Sequence, residues 1–84
     1  MSQEFKFVED LIKSHLGESE VFVEDMTGTK DHLEITVVSD VFKGKLLIEQ
    51  HQLIMDALKE ELKLRIHAVK LHTYTKEKFA TLRG

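Results

Sequence analysis

The chain has no cysteine, no proline and no tryptophan among its 84 residues, and it has only one tyrosine and four glycines. Without cysteine it cannot form the disulfides that stabilise many small secreted domains, so we expect a protein of a reducing compartment, the cytoplasm. It also cannot supply a thiolate. Because iron–sulfur clusters are held mainly by several cysteines, it could not hold such a cluster alone.

Long apolar runs are also missing, since none approaches the roughly 18 residues of a membrane-spanning helix. The first residues, "MSQEFKFVED", lack the basic and apolar regions of a signal peptide. There is no phosphate-binding glycine loop, no His-Glu-x-x-His and no cysteine nucleophile. Because these motifs are absent, we expect that the protein is not an enzyme. With 42% hydrophobic and 32% charged residues, the sequence predicts one globular domain over residues 1–84.

Charge is distributed unevenly along the chain, whose formal net charge is −3. Residues 1–40 carry three basic and ten acidic side chains, whereas residues 41–84 carry nine basic and five acidic ones. The balance is therefore −7 in the first part and +4 in the second. The overall charge argues against strong non-specific binding of nucleic acid, but the second part can present a basic surface.

Periodicity predicts six elements. Apolar residues at helical spacing follow Ser2, a suitable N-cap, and end at Gly17, a suitable stop. Alternation of Leu33, Ile35 and Val37 is typical of a strand with one buried face. The predicted elements are a helix at 3–16, strands at 20–25 and 32–39, a helix at 46–62, a strand at 65–72, and a short helix from Thr75 as N-cap to about Leu82.

This order, α-β-β-α-β-α, favours a two-layer α+β domain with a three-stranded sheet. The first two strands form a hairpin, and residues 39–45 connect the second strand to the central helix. We expect the central helix to bury one broad apolar stripe, which comprises Leu46, Leu47, Leu53, Ile54, Ala57, Leu58 and Leu62.

Four short motifs together resemble the BolA family. They are "VVSD" at the end of the second strand, "FKGK" before the central helix, "QHQ" within that helix, and "IHA" leading into "TYT". The resemblance covers nearly the whole chain, from the first helix to Phe79. It departs from the family pattern at "QHQ", where Arg-His-Arg is frequent, and at "TKEKF" (75–79), where the family has Thr-Pro-Glu-x-Trp.

The resemblance implies an αββαβα fold related to the type II KH topology. It also implies that the chain binds a monothiol glutaredoxin and acts in iron–sulfur cluster assembly or trafficking, or in iron regulation. A [2Fe-2S] cluster would then be shared with the glutaredoxin and glutathione. Some bacterial members are DNA-binding transcriptional regulators of stress response and cell morphology, which gives the alternative function.

His67, in "IHA", is the cluster ligand that the resemblance implies. A neutral imidazole can bind iron through one nitrogen while an acceptor orients the other. The alternative is a half-buried histidine hydrogen-bonded at the end of a strand. His32 is the second candidate, because it would approach His67 at one end of the sheet if the second and third strands are neighbours. The alternative interpretation of His32 is a solvated histidine of the hairpin.

The other histidines need no ligand role. His72 falls on the strand face opposite His67, so one metal cannot bind both if the strand is regular. His51 lies within the central helix and His15 near the end of the first helix, where solvent or the helix dipole accounts for them.

The alternative function, DNA binding, would depend on a basic surface. We predict Lys43, Lys45, Arg65 and Lys70 as its nucleic-acid contacts. Acidic residues of the central helix would repel phosphate, and a KH-type groove needs a second glycine that "FKGK" lacks. A solvated charged surface is the competing interpretation. A third class of function is an interaction module with an exposed apolar patch and no metal.

Overall fold

The computed structural model describes residues 5–26, 28, 32–64, 66 and 68–83. Within these residues, four helices and three strands form an α+β domain; the fold class is the predicted one, but three helices were expected. In chain order they are α1 (Lys6–Leu16), β1 (Glu20–Asp25), β2 (His32–Val38), a 3₁₀ turn (Asp40–Phe42), α2 (Leu47–Ala57), α3 (Lys59–Leu64), β3 (Ala68–Tyr74) and α4 (Lys76–Arg83).

The sheet has the strand order β1-β2-β3 and is mixed. β1 and β2 form the predicted antiparallel hairpin. β2 and β3 run parallel, in a register that pairs His32 with Ala68 and Val38 with Tyr74. The central helices provide the crossover that a parallel pair requires. The starts of β2 and β3 therefore lie side by side at one end of the sheet.

One face of the sheet, called the inner face, packs against α1 and α2. Alternation places Leu33, Ile35 and Val37 of β2 on this face, and each is fully buried. The rest of the buried core consists of Val8, Ile12, Phe42, Ile54, Leu58 and Ile66. Side chains of β1 and β3 with the same orientation, such as Val23 and Leu71, complete its margin.

The opposite, outer face is more polar. It carries His32, Glu34 and Thr36 of β2, and α4 packs at the end where this strand finishes. Phe79 of α4 stacks on Phe22 of β1 with ring centroids 5.9 Å apart. Phe79 therefore provides the aromatic anchor of α4 on the sheet.

The predicted start of the first helix is wrong, whereas its end is confirmed. α1 begins at Lys6, after Phe5, whose side chain makes no capping hydrogen bond. Ser2, the predicted N-cap, lies outside the described residues. Gly17 ends the helix with φ of +84°, a conformation that glycine adopts without a Cβ clash, and its N–H donates to the Lys13 carbonyl.

The central helix is interrupted, so the prediction of one helix over 46–62 is wrong. At Leu58 the backbone leaves helical geometry, with φ −102° and ψ 5°, and α3 follows. Leu58 itself is fully buried in the core. The predicted burial of Leu46 and Leu47 is also wrong, because both are mostly exposed at the start of α2. Periodicity shows which residues share one face of a helix, but it cannot show how much of that face is covered by the rest of the domain.

The connector and the third strand also differ from prediction. Residues 39–45 contain the 3₁₀ turn, which buries Phe42 in the core. β3 runs over Ala68–Tyr74 rather than 65–72. The predicted cap of α4 is confirmed, since the Lys78 N–H donates to Thr75 Oγ1 at 3.2 Å. Among the residues described, no helix has both the length and the apolar character to span a bilayer.

Candidate functional site

His32 is the first residue of β2 and lies half-buried on the outer face. Its register partner is Ala68, the residue that follows His67 in the chain. The strand adjacency on which the two-histidine hypothesis depends is therefore present. His67 itself lies outside the described residues, so its role as a ligand, and that of His32, stay predictions.

The hairpin before His32 is fixed by hydrogen bonds. The Met26 N–H donates to the His32 carbonyl at 2.9 Å. The Gly28 N–H donates to Asp25 Oδ1 at 2.9 Å, and Gly28 has φ of +81°, which favours glycine. These contacts set where β2 begins and therefore where His32 is held.

His72 has a specific partner that the sequence did not reveal. Its Nε2 lies 2.7 Å from Glu34 Oε2 across the β2–β3 pair, and both side chains are about one-third exposed. The pair occupies the outer face, where alternation had placed His72. Finding Glu34 as the partner needs the parallel register, which is a tertiary property.

Gln50 holds the segment before α2. Its amide nitrogen donates to the Lys45 carbonyl at 2.9 Å and to the Phe42 carbonyl at 3.4 Å. Its amide oxygen accepts from the buried Thr73 hydroxyl at 2.7 Å. One side chain therefore links the connector, α2 and β3. The sequence had marked "QHQ" only as a departure from a basic motif.

His51 has a different environment from the glutamines beside it. Its Nε2 is buried, and it has no hydrogen-bond partner among the residues that the structure describes. A buried polar atom without a partner lowers stability by about 1–3 kcal/mol relative to a satisfied one. The prediction of a solvated histidine is therefore wrong for this ring nitrogen.

The predicted basic contacts occupy two places. Lys43 and Lys45 precede α2, beyond the end of β2, and Lys43 Nζ lies 3.9 Å from Asp40 Oδ2. Lys70 is exposed on β3 and pairs in register with Glu34, four residues before the end of β2. Arg65 lies outside the described residues. The nucleic-acid role of all four residues stays a prediction.

The described ranges contain no group of three or more His, Asp or Glu side chains that could bind a metal ion. Of the two predicted ligands, His32 is the one that lies within the described ranges. The chain has no cysteine that could serve as a further ligand. Any cluster held here would need thiolates from outside the chain.

A shallow groove lies at the other end of the sheet, beside α4. Its volume is about 260 Å³, and its lining residues are Glu20, Val38, Lys76, Phe79 and Ala80. At its margin Lys76 donates a hydrogen bond to the Glu18 carboxylate, which lowers the pKa of Glu18 and raises that of Lys76. Both groups are exposed, so solvent screens this interaction.

Comparison with known proteins identifies a family match over most of the chain. Residues 2–78 match the family described as "BolA-like protein". Over 48 residues, the chain is 42% identical to the DNA-binding transcriptional regulator BolA of Escherichia coli, covering 57% of this chain and 46% of that protein. Over 64 residues, it is 38% identical to SufE-like protein 1, chloroplastic/mitochondrial, of Arabidopsis thaliana, covering 76% of this chain and 17% of that protein.

The matched regions therefore span less than half of these two relatives. The fold comparison agrees with the sequence comparison. The BolA domain of SufE1 from Arabidopsis thaliana matches with a TM-score of 0.78 and 30% identity, covering 93% of this chain and 98% of that domain.

Proposed function

Because this chain belongs to the family of BolA-like proteins, we propose that it is an adaptor that binds a monothiol glutaredoxin and shares a bridged [2Fe-2S] cluster with it. In this role it takes part in iron–sulfur cluster assembly or trafficking, or in iron regulation. His67 and His32 are the proposed ligands, and the glutaredoxin and glutathione supply the thiolates.

One structural observation supports the proposal best. The parallel register puts His32 beside Ala68, so the second proposed ligand lies next to the residue that follows His67 in sequence. Hydrogen bonds of the hairpin fix the beginning of β2 and limit the backbone freedom of His32. A ligand held in this way loses less conformational entropy when it binds than one on a loose loop.

The chemistry assigned to this chain is modest. The cluster, when bound, supplies the redox or transfer chemistry. Each imidazole donates one neutral ring nitrogen and must keep the proton on the other, where an acceptor can orient the ring. Because an imidazole is neutral where a thiolate is negative, two histidines make the shared site less negative and raise its reduction potential, as in other clusters with histidine ligands.

The test is reconstitution of the full chain with a monothiol glutaredoxin, iron, sulfide and glutathione. The wild-type mixture should form a heteromeric complex whose visible absorption differs from that of the glutaredoxin alone. His67→Ala should shift this spectrum and shorten the lifetime of the cluster, and His32→Ala should do the same to a lesser degree.

His72→Ala is the matched control, since it removes an imidazole from the same strand region without removing a proposed ligand. It should leave the spectrum unchanged. If His67→Ala has the wild-type spectrum and cluster lifetime, the ligand assignment fails. If no complex forms, with or without the cluster, the adaptor proposal fails as a whole.

The name of the Escherichia coli relative supports a second candidate, a DNA-binding regulator. Lys43 and Lys45, in the stretch before α2, would contact the phosphate backbone, while Arg65 and Lys70 would extend the surface. Binding to duplex DNA should then weaken steeply with salt, and Lys43→Glu with Lys45→Glu should abolish it. Absence of binding at low salt would eliminate this candidate.

A further inference from the structure

A second, smaller apolar cluster lies on the outer face of the sheet, at the end where β2 finishes. Val38 is 1% exposed although it points away from the inner face. Its register partner on β3 is Tyr74, whose ring centroid lies 5.7 Å from that of Phe79, and Phe79 stacks on Phe22. We call these four residues the outer apolar cluster. None of the four belongs to the buried core or to the side chains packed against it.

α4 covers this cluster with one side chain. Among the α4 side chains that the structure describes, Phe79 alone is partly removed from solvent, and the others are exposed. α1 is held differently, because its Val8 and Ile12 are fully buried in the core. The groove of about 260 Å³ beside α4 is lined by residues of both the helix and the strands, so α4 is not closely packed along its length.

The polar contacts that the structure describes between α4 and the rest of the domain are weak. The Lys76 N–H donates to Asp40 Oδ1 at 3.3 Å, which is longer than is usual for such a bond. The Lys76 ammonium pairs with the Glu18 carboxylate, and because both groups are exposed, solvent screens the pair. Attachment of α4 therefore depends mainly on the ring of Phe79.

β3 passes almost directly into α4. The strand ends at Tyr74 and the helix begins at Lys76, so Thr75 is the one residue between them. The Tyr74 carbonyl accepts from the Ser39 N–H at 2.9 Å, which holds the end of β3 to the segment that follows β2. A change in the backbone angles of Thr75 would thus move α4 without moving the strand.

We propose that α4 is a hinged cover of the outer apolar cluster. It detaches from the sheet at Thr75 while the rest of the domain stays folded. This opening exposes Val38, Phe22 and Tyr74 as one apolar surface. A helix of eight residues does not persist alone, so α4 unfolds once it has detached. The cover lies at the end of β2 opposite His32, and the proposal is independent of an iron–sulfur cluster and of any glutaredoxin.

The test is native-state hydrogen exchange of the full chain, followed by NMR at increasing urea concentrations. After correction for intrinsic rates, the amides of Ala80 and Thr81 should exchange at least about a hundredfold faster than that of Ile12, because they need only the local opening. Their exchange should hardly change at low urea, since detachment exposes little surface, whereas exchange of Ile12 should follow global unfolding. Equal rates with equal urea dependence would mean that α4 unfolds only together with the core, which overturns the proposal.

Phe79→Ala distinguishes detachment of α4 from unravelling in place. If α4 detaches, loss of the ring should speed exchange of Ala80 and Thr81 by about tenfold. Alanine favours a helix more than phenylalanine does, so unravelling in place predicts slower exchange. Slower or unchanged exchange would therefore reject the cover. Leu82→Ala, at an exposed position of the same helix, is the matched control and should alter exchange by less than about twofold. An effect as large as that of Phe79→Ala would count equally against detachment.

A core variant tests whether the opening is separate from global unfolding. Ile35→Val should speed exchange of Ile12 by about two- to tenfold, because it weakens the core. Exchange of Ala80 and Thr81 should stay as in the wild type, since the core remains folded when α4 detaches. Parallel acceleration at all three amides would show that α4 and the core form one cooperative unit, and the proposal would then be wrong.

Discussion

The inner and outer faces of β2 differ although they belong to one strand. On the inner face, Leu33, Ile35 and Val37 are fully removed from solvent. On the outer face, His32, Glu34 and Thr36 remain half-buried, and α4 packs only towards the end where the strand finishes. The two sets of residues alternate along the six positions from His32 to Val37.

The two faces of β2 therefore differ in what they contribute: the inner face stabilises the fold, and the outer face is available for binding. Burial of apolar area is the main favourable term in folding, at about 25 cal/mol per Å², and the inner face supplies most of it. The outer face and the ends of the sheet contribute less to folding, so they can carry polar and charged groups that serve binding. Paired substitutions of similar residues in the two environments test this difference.

The largest effect is expected for Ile35→Ala. This truncation leaves a cavity beneath α1 and α2 and should lower the free energy of unfolding by about 2–5 kcal/mol, measured by urea denaturation. For a chain of 84 residues this is a large share of total stability. Ile48→Ala, the same change at an exposed position, should stay within about 0.5 kcal/mol. Equal losses at both sites would contradict the assignment of the inner face.

Gln50→Ala should give the next largest effect. It removes the acceptor of the buried Thr73 hydroxyl and the donor to the Lys45 carbonyl, so we expect a loss of about 1–3 kcal/mol. Gln52→Ala, two residues away, breaks only an exposed contact with Asp56 and should change stability by less than about 0.5 kcal/mol. Thermal unfolding of both variants checks the contrast.

His51→Leu should have a moderate effect of opposite sign. It replaces a ring whose buried Nε2 is unsatisfied with an apolar side chain, and we expect a gain of about 1 kcal/mol. His15→Leu, at an exposed position of α1, should stay within about 0.5 kcal/mol. A loss on His51→Leu would show that the imidazole has a polar partner.

Lys76→Met should have the smallest effect, because the Glu18–Lys76 pair is exposed. Since the pair lowers the pKa of Glu18 from its ordinary 4.5, its contribution is present above that pH and is lost as the pH falls through the lowered value. The wild type should therefore melt slightly higher than the variant at pH ~7 and equally at pH ~2. A difference that persists at low pH or in high salt would have another origin.

For the site, the sequence indicated which residue types are suited to the chemistry but not which of them meet. The resemblance directed attention to His67 and His32, and the register of β2 and β3 pairs His32 with Ala68, while the role of both histidines stays a prediction. The contacts of Gln50 and the Glu34–His72 pair join residues 23 and 38 positions apart, so no local pattern could indicate them.

What the sequence by itself determined is local. The alternation of β2, the glycine that ends α1 and the threonine that caps α4 depend on neighbours within a few residues, and each is present as expected. The tertiary structure alone decided the break at Leu58, the burial of Phe42 and the exposure of Leu46 and Leu47. Those outcomes depend on which distant side chains cover each position, because burial is a property of the assembled layers and not of periodicity.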